Sequence, residues 1–200
     1  MLRRNARLFE ELGSGLYFTV ADLARVFDIK PESARVMASR YASADVFLRI
    51  KKDVYVLASN WRAYTLEQFM RLANIIQVPS HVSLVTALSY YGVTTQVQRN
   101  VIECVAQKRT VIYDIKGTVF NYYKLKKQYY FGFSRLSNSD VFISSKEKAL
   151  VDALYLYSFG KYKIDIDALD LAKLDSGAIR KIIRIYPNRT QKIVKSLCRI

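Results

Sequence analysis

The segment from Thr19 to Leu57, TVADLARVFDIKPESARVMASRYASADVFLRIKKDVYVL, limits the fold of this chain more than any other. Its spacing predicts a helix, a tight turn, a second helix and a two-stranded hairpin with lysines at the tip. Thr19 is placed to cap the first helix, Asp22 stands three residues on in its first turn, and Leu23, Ala24 and Phe27 give it an apolar face. Asp28 falls where the chain must turn sharply. Many helix-turn-helix units use Gly there, but Asp also tolerates the left-handed backbone such a turn needs.

Ile29 follows as a plug for the turn, and Pro31 suits the first position of the next helix, because its fixed φ matches and its missing N–H would have been unpaired anyway. In that helix Ala34, Met37, Ala38 and Tyr41 recur at i, i+3, i+4 and i+7, an inward stripe. Glu32, Ser33, Arg35, Val36, Ser39 and Arg40 are left facing outward. Small polar side chains, arginines and a methyl-bearing residue are the types that read base edges in a major groove. The following VFLRIKKDVYVL alternates into a hairpin around Lys51, Lys52 and Asp53, a basic wing suited to phosphate. These features together predict a winged helix-turn-helix that binds DNA. A plain helical domain with an edge hairpin is the alternative, and some winged helices bind only protein.

At 200 residues, with 51% hydrophobic content, the chain has room for two packed units. Its formal charge of +15 favours an anionic partner, nucleic acid before membrane, since no strongly hydrophobic amphipathic segment accompanies it. Residues 1–60 hold 10 Lys or Arg against 7 Asp or Glu, a net of +3, which leaves +12 for residues 61–200. The second unit is therefore also a candidate anion-binding surface, or simply a solvated basic one. Cys104 and Cys198 make neither a disulfide framework nor a zinc set, which fits a reducing cytoplasm. MLRRNARLFEELG has no apolar core like that of a secretory signal, and no run of about 18 apolar residues occurs, so a soluble cytoplasmic protein is expected.

Ahead of this segment, residues 3–12 read as a first helix, with Arg3, Arg4 and Arg7 at its start, placed to touch backbone phosphate or to be solvated. Beyond it, the boundary between units is expected near residues 58–64, giving domains of 1–60 and 61–200, with Trp61 burying the junction. A helix is expected over 65–76, and another over 82–91 capped by Ser80 and ended by Gly92. His81 stands in its first turn without a second His or a cluster of Cys or carboxylates, so no metal or catalytic role is assigned to it. From Val101 to Phe142 short runs rich in Val, Ile, Phe and Tyr predict an antiparallel sheet of three to five strands. Tyr113, Tyr122, Tyr123, Tyr129 and Tyr130 interleave there with Lys and Arg, a composition suited to stacking bases or to ordinary sheet packing. Ser144 and Glu147 form a capping box for a helix with Ala149, Leu150, Ala153, Leu154 and Tyr157 on its apolar face. Three shorter helical patterns end the chain, and after Asp175 seven basic residues occur with no acidic one.

Taken together, the chain resembles the AbiEi family, the antitoxin and transcriptional-regulator component of type IV toxin–antitoxin (abortive infection) systems. The resemblance covers most of the chain and rests on the strand DVYVLAS, on HVSLVTALSYYGVTTQ, on the block ending QYYFGF and on SSKEKALVDALYLY. It implies an α+β protein whose N-terminal winged helix represses its own promoter by binding inverted repeats in double-stranded DNA. It also implies a C-terminal domain that neutralises a neighbouring nucleotidyltransferase-like toxin without a stable complex. Carried over, Ser33, Arg35, Val36, Ser39 and Arg40 would read bases, and Lys51 and Lys52 would sit on phosphate. No cofactor or metal is implied.

An enzyme is not expected. Seven scattered glycines leave no phosphate-cradling loop, and the Asp165-x-Asp167 pair lacks the Gly-Ser that precedes such pairs in nucleotidyltransferases. The alternative to a DNA-binding repressor is an RNA-binding or protein-interaction module built on the Tyr and Lys of the second unit.

Overall fold

The computed structural model describes residues 2–96 and 98–200, with side chains from Arg7 onward. It is a mixed α+β protein that divides into two compact units, Met1–Leu72 and Ala73–Ile200. Among the described residues no helix is long and apolar enough to cross a membrane.

Unit 1 runs α1 (Leu2–Gly13), β1 (Phe18–Thr19), α2 (Val20–Phe27), α3 (Pro31–Ser43), β2 (Phe47–Lys51), β3 (Val54–Leu57) and the single turn α4 (Ala58–Trp61). β2 and β3 form an antiparallel hairpin, and β1 adds to its other side, giving the order β1-β3-β2. Phe18 pairs with Tyr55 directly before Thr19 caps α2, so one short stretch serves both strand and cap. The core gathers Leu12, Phe18, Leu23, Ala34, Ala38, Phe47 and Tyr55, with Phe9, Phe27, Ile29, Met37 and Tyr41 packed against it. Edge-on ring contacts from Phe9 to Phe27, Tyr41 and Phe47 tie the three helices to the hairpin.

The division between units lies inside α5 (Leu66–Ile76). Trp61, Tyr64 and Phe69 pack ring on ring, the Tyr64 hydroxyl donates to the Leu16 carbonyl (2.7 Å), and Asn60 donates to that of Gly13 (3.1 Å). These bonds keep the stretch after the hairpin with unit 1.

Unit 2 holds β4 (Ser80–Val82), α6 (Leu84–Tyr90), β5 (Val101–Ala106), β6 (Val111–Ile115), β7 (Thr118–Lys124), β8 (Phe133–Arg135), β9 (Phe142–Ser144), α7 (Lys146–Ser158), α8 (Ser176–Ile183) and α9 (Asn188–Cys198). Its sheet has six strands in the order β6-β7-β5-β4-β9-β8. The expected all-antiparallel sheet of three to five strands is corrected: β7 runs parallel to β5, and β9 parallel to β4. Composition explains the first crossover. β7 buries alternate residues (Thr118, Phe120, Tyr122) and takes the inner place, whereas β6, with Ile112 and Asp114 exposed, is left on the edge.

Two caps also shift. Ser80 does not cap a helix, because Ser80–Val82 pairs with Cys104–Ala106 of β5; the helix begins only at Leu84, after Ser83. Ser144 belongs to β9, and the cap of α7 is Ser145, which accepts from the Lys148 N–H (3.2 Å). Tyr157, expected on the inward face of α7, is exposed.

Candidate nucleic-acid interface

The local geometry of unit 1 follows from neighbouring residues. The Thr19 hydroxyl accepts from the Asp22 N–H (3.2 Å), and the Asp22 carboxylate accepts from both the Thr19 N–H (2.9 Å) and hydroxyl (2.7 Å). This closed capping box holds the Asp22 carboxyl below its ordinary range and fixes the start of α2. Asp28 ends that helix at φ 52, ψ 53, and its N–H turns back to the Ala24 and Arg25 carbonyls. Pro31 then starts α3 at the first helical position.

Ala34 and Ala38 of α3 are fully buried, and Met37 and Tyr41 half-buried, which turns Glu32, Ser33, Arg35, Val36, Ser39 and Arg40 outward into solvent. Val36 is 52% exposed, an apolar side chain that nothing within unit 1 covers. The outward face is divided between two grooves. One, of about 600 Å³, is lined by Ile29, Glu32, Ser33, Val36, Met37, Arg40 and Tyr41. The other, of about 440 Å³, takes Arg35 and Ser39 together with Arg49, Asp53 and Tyr55 of the hairpin.

The structure thus brings Ser33, Val36 and Arg40 together on one side of α3, and Arg35 and Ser39 on the other. Lys52 and Asp53 make the exposed hairpin tip, with Asp53 at φ 61, and Lys51 is half-buried at the end of β2. Among the described residues none of Arg35, Arg40 and Arg49 forms an ion pair, so their charge is not spent internally. The Arg3 and Arg4 side chains lie outside the described residues.

Unit 2 carries a second concentration of polar groups, all inside. Lys148 and Asp152 of α7 pair with no solvent access; Asp152 also accepts from Ser83 (3.0 Å) and Tyr186 (3.2 Å), and Ser144 donates to Ser83 (3.2 Å). Burial pushes the Asp152 carboxyl up, against the pull of the Lys148 ammonium and the two hydroxyls. His81 is fully buried between Phe133 (4.1 Å between ring centres) and Tyr130 (4.8 Å), and among the described residues neither nitrogen has a hydrogen-bond partner. Burial, with the Lys148 charge nearby, lowers it to about 3, which keeps the imidazole neutral. Glu103 of β5 accepts from Tyr162 (2.6 Å) and from the Val85 N–H (3.1 Å), and burial raises it to about 7.

The chain shares its fold with the RV2827C protein of Mycobacterium tuberculosis. The two are 11% identical and superpose with a TM-score of 0.65 over 98% of this chain and 76% of that one. No family model matches the sequence, and none of the curated proteins compared with it does. At 11% identity this likeness speaks for architecture alone.

Several site residues escape a reading of the sequence. Arg49 joins Arg35 in one groove, a position signalled only by its being the outward residue in Phe47-Leu48-Arg49-Ile50. Lys148 and Asp152 went unassigned in the sequence, and their burial comes from ten residues of α7 being buried around its circumference. Two of the five tyrosines in this stretch are pulled inward: Tyr122 of β7 donates to the Ala73 carbonyl (2.6 Å), and Tyr129, in the turn after β7, stacks on Tyr186 (4.4 Å), while Tyr113, Tyr123 and Tyr130 are half-buried. Neither Tyr122 nor Tyr129 offers a free ring face to a base. Asp165 and Asp167 lie in a loop, not on a strand, where Asp165 accepts from Gln96 and from the Asp167 N–H. Among the described residues no three His, Cys, Asp or Glu side chains gather as metal ligands would.

Proposed function

We propose that unit 1 is a winged helix-turn-helix that binds double-stranded DNA sequence-specifically, and that the protein is an autoregulatory transcriptional repressor and antitoxin of the AbiEi kind. In this reading α3 is the recognition helix, Ser33, Arg35, Val36, Ser39 and Arg40 read base edges, and Lys51, Lys52 and Arg49 hold phosphate. One observation carries the reading most: α3 presents outward two arginines that form no ion pair among the described residues, with small polar residues beside them, next to a groove that it shares with a basic hairpin.

The antitoxin role rests on the sequence resemblance alone. It entails a functional link to a nucleotidyltransferase-like toxin without a stable complex, residence in the cytoplasm, and no catalysis or cofactor. Binding inverted repeats requires two copies on one operator. The test is a mobility shift of the protein's own upstream region against random duplex at about 150 mM salt, near physiological ionic strength. Selective retention of the upstream region supports the repressor; equal, weak retention of both removes it. The competing placement of RNA on the tyrosines of this stretch has the burial of Tyr122 and Tyr129 against it and is left with the half-buried Tyr113, Tyr123 and Tyr130.

A further inference from the structure

We infer that unit 2 carries a separate binding surface for single-stranded nucleic acid, made by α8, α9 and the exposed ring of Phe159 at the end of α7. This goes beyond the reading of unit 1 and does not depend on it. Residues 176–200 contain seven basic side chains and no acidic one. Arg180, Lys181, Arg184, Arg189, Lys192, Lys195 and Arg199 are all exposed, and among the described residues none forms an ion pair.

Three of the four acids between residues 165 and 175 are already engaged. Asp170 pairs with Lys173 (3.4 Å), Asp165 accepts from Gln96 (2.9 Å), and Asp175 caps α8 through the Gly177 and Ala178 N–H groups. The helix dipole favours Arg180 and Lys181 in the last turn of α8 and Lys195 in that of α9, but it does not account for Arg189, which stands in the first turn of α9, where the dipole opposes a cation. Buried residues Ile179, Ile183, Thr190 and Val194 hold these helices inward, which turns the cations to solvent.

Charge of one sign would suit any polyanion; the aromatic group narrows it. The hydroxyls of Ser158 and Thr190 meet at 3.0 Å, tying the end of α7 to the first turn of α9. This sets the Arg189 guanidinium 5.9 Å from the centre of the Phe159 ring, while the ring remains 45% exposed and Tyr155 meets it edge-on at 5.3 Å. An exposed ring beside a cation, on helices that carry further cations, is the arrangement that holds an unstacked base while the cations track its phosphates. Duplex bases are already stacked and have no face to give it.

The experiment measures binding of a labelled oligo(dT) of about 15 nucleotides to the full-length protein by fluorescence anisotropy, from about 50 to 200 mM salt. The combined Arg189→Ala, Lys192→Ala and Lys195→Ala substitutions are expected to weaken binding at least about tenfold and to lower the salt slope by about 2, at about 0.7 per lost contact. Phe159→Leu is expected to weaken it about tenfold with the salt slope unchanged, since stacking releases no counterions. Arg35→Ala with Arg40→Ala leaves it within about twofold, which separates this surface from α3 whatever becomes of the repressor reading. Absence of oligo(dT) binding, indifference to the α9 substitutions, or random duplex competing equally with no effect of Phe159→Leu would each overturn the inference.

Discussion

Arg35 of α3 and Arg49 of β2 line the same groove, with Asp53 of the hairpin tip among its walls. Helix and hairpin therefore bring cations from two elements to one groove, and under the proposed DNA binding their roles should separate by measurement. Arg49→Ala is expected to weaken every duplex alike and to lower the salt slope by about 0.9, the value of one lost phosphate contact on B-DNA. A salt titration on specific and random duplex checks this. Lys52→Ala, at the exposed tip, should behave the same way.

Thr19 and Asp22 make a reciprocal cap, so Thr19→Ala removes an acceptor for one N–H and a donor to one carboxylate at once. The expected loss is about 0.5–2 kcal/mol of stability, with Thr19→Ser recovering most of it. Urea denaturation of the three proteins measures it.

The buried Lys148–Asp152 pair should be costly to break and cheaper to replace. Lys148→Met leaves a carboxylate without its counter-ion in a site closed to solvent, and about 3–5 kcal/mol of stability is expected to go. Lys148→Met with Asp152→Leu should lose less than the sum of the single changes, which a double-mutant cycle in urea would read.

Glu103 and His81 give opposite pH dependences. With Glu103 raised to about 7 from 4.5, the folded chain keeps a proton that the unfolded chain has released, so stability falls as pH rises between those values, by about 3 kcal/mol in all. With His81 lowered to about 3 from 6.5, the unfolded chain takes up a proton that the folded one refuses, so stability rises with pH between those values, by about 5 kcal/mol. Between pH 4.5 and 6.5 the two oppose each other. Glu103→Gln should steepen the rise of stability with pH there, and His81→Phe should uncover the fall; stability–pH curves of the three proteins read both.

What the sequence made legible was local. The Thr19 cap, the left-handed Asp28, Pro31 at the start of α3 and the Ala34 and Ala38 stripe all depend on residues within a turn or two, where side-chain and backbone preferences decide. The outward set on α3 followed as the complement of that stripe. What escaped was non-local. Ser80, His81 and Val82 read as a helix start until β5 and β9 claim them as a strand, and nothing near β7 in sequence shows that it will lie parallel to β5. Arg49 was missed for the same reason, since its place beside Arg35 is set by how the hairpin meets α3.

The most direct test of the account is a mobility shift with the protein's own upstream region and with random duplex, comparing the native chain with Arg35→Ala and Arg40→Ala. Selective binding by the native chain is expected, with a loss of about 1–3 kcal/mol on the specific duplex for each substitution and little change on random DNA. Equal losses on both duplexes, or no preference in the native chain, would contradict the assignment of α3 as a base-reading helix.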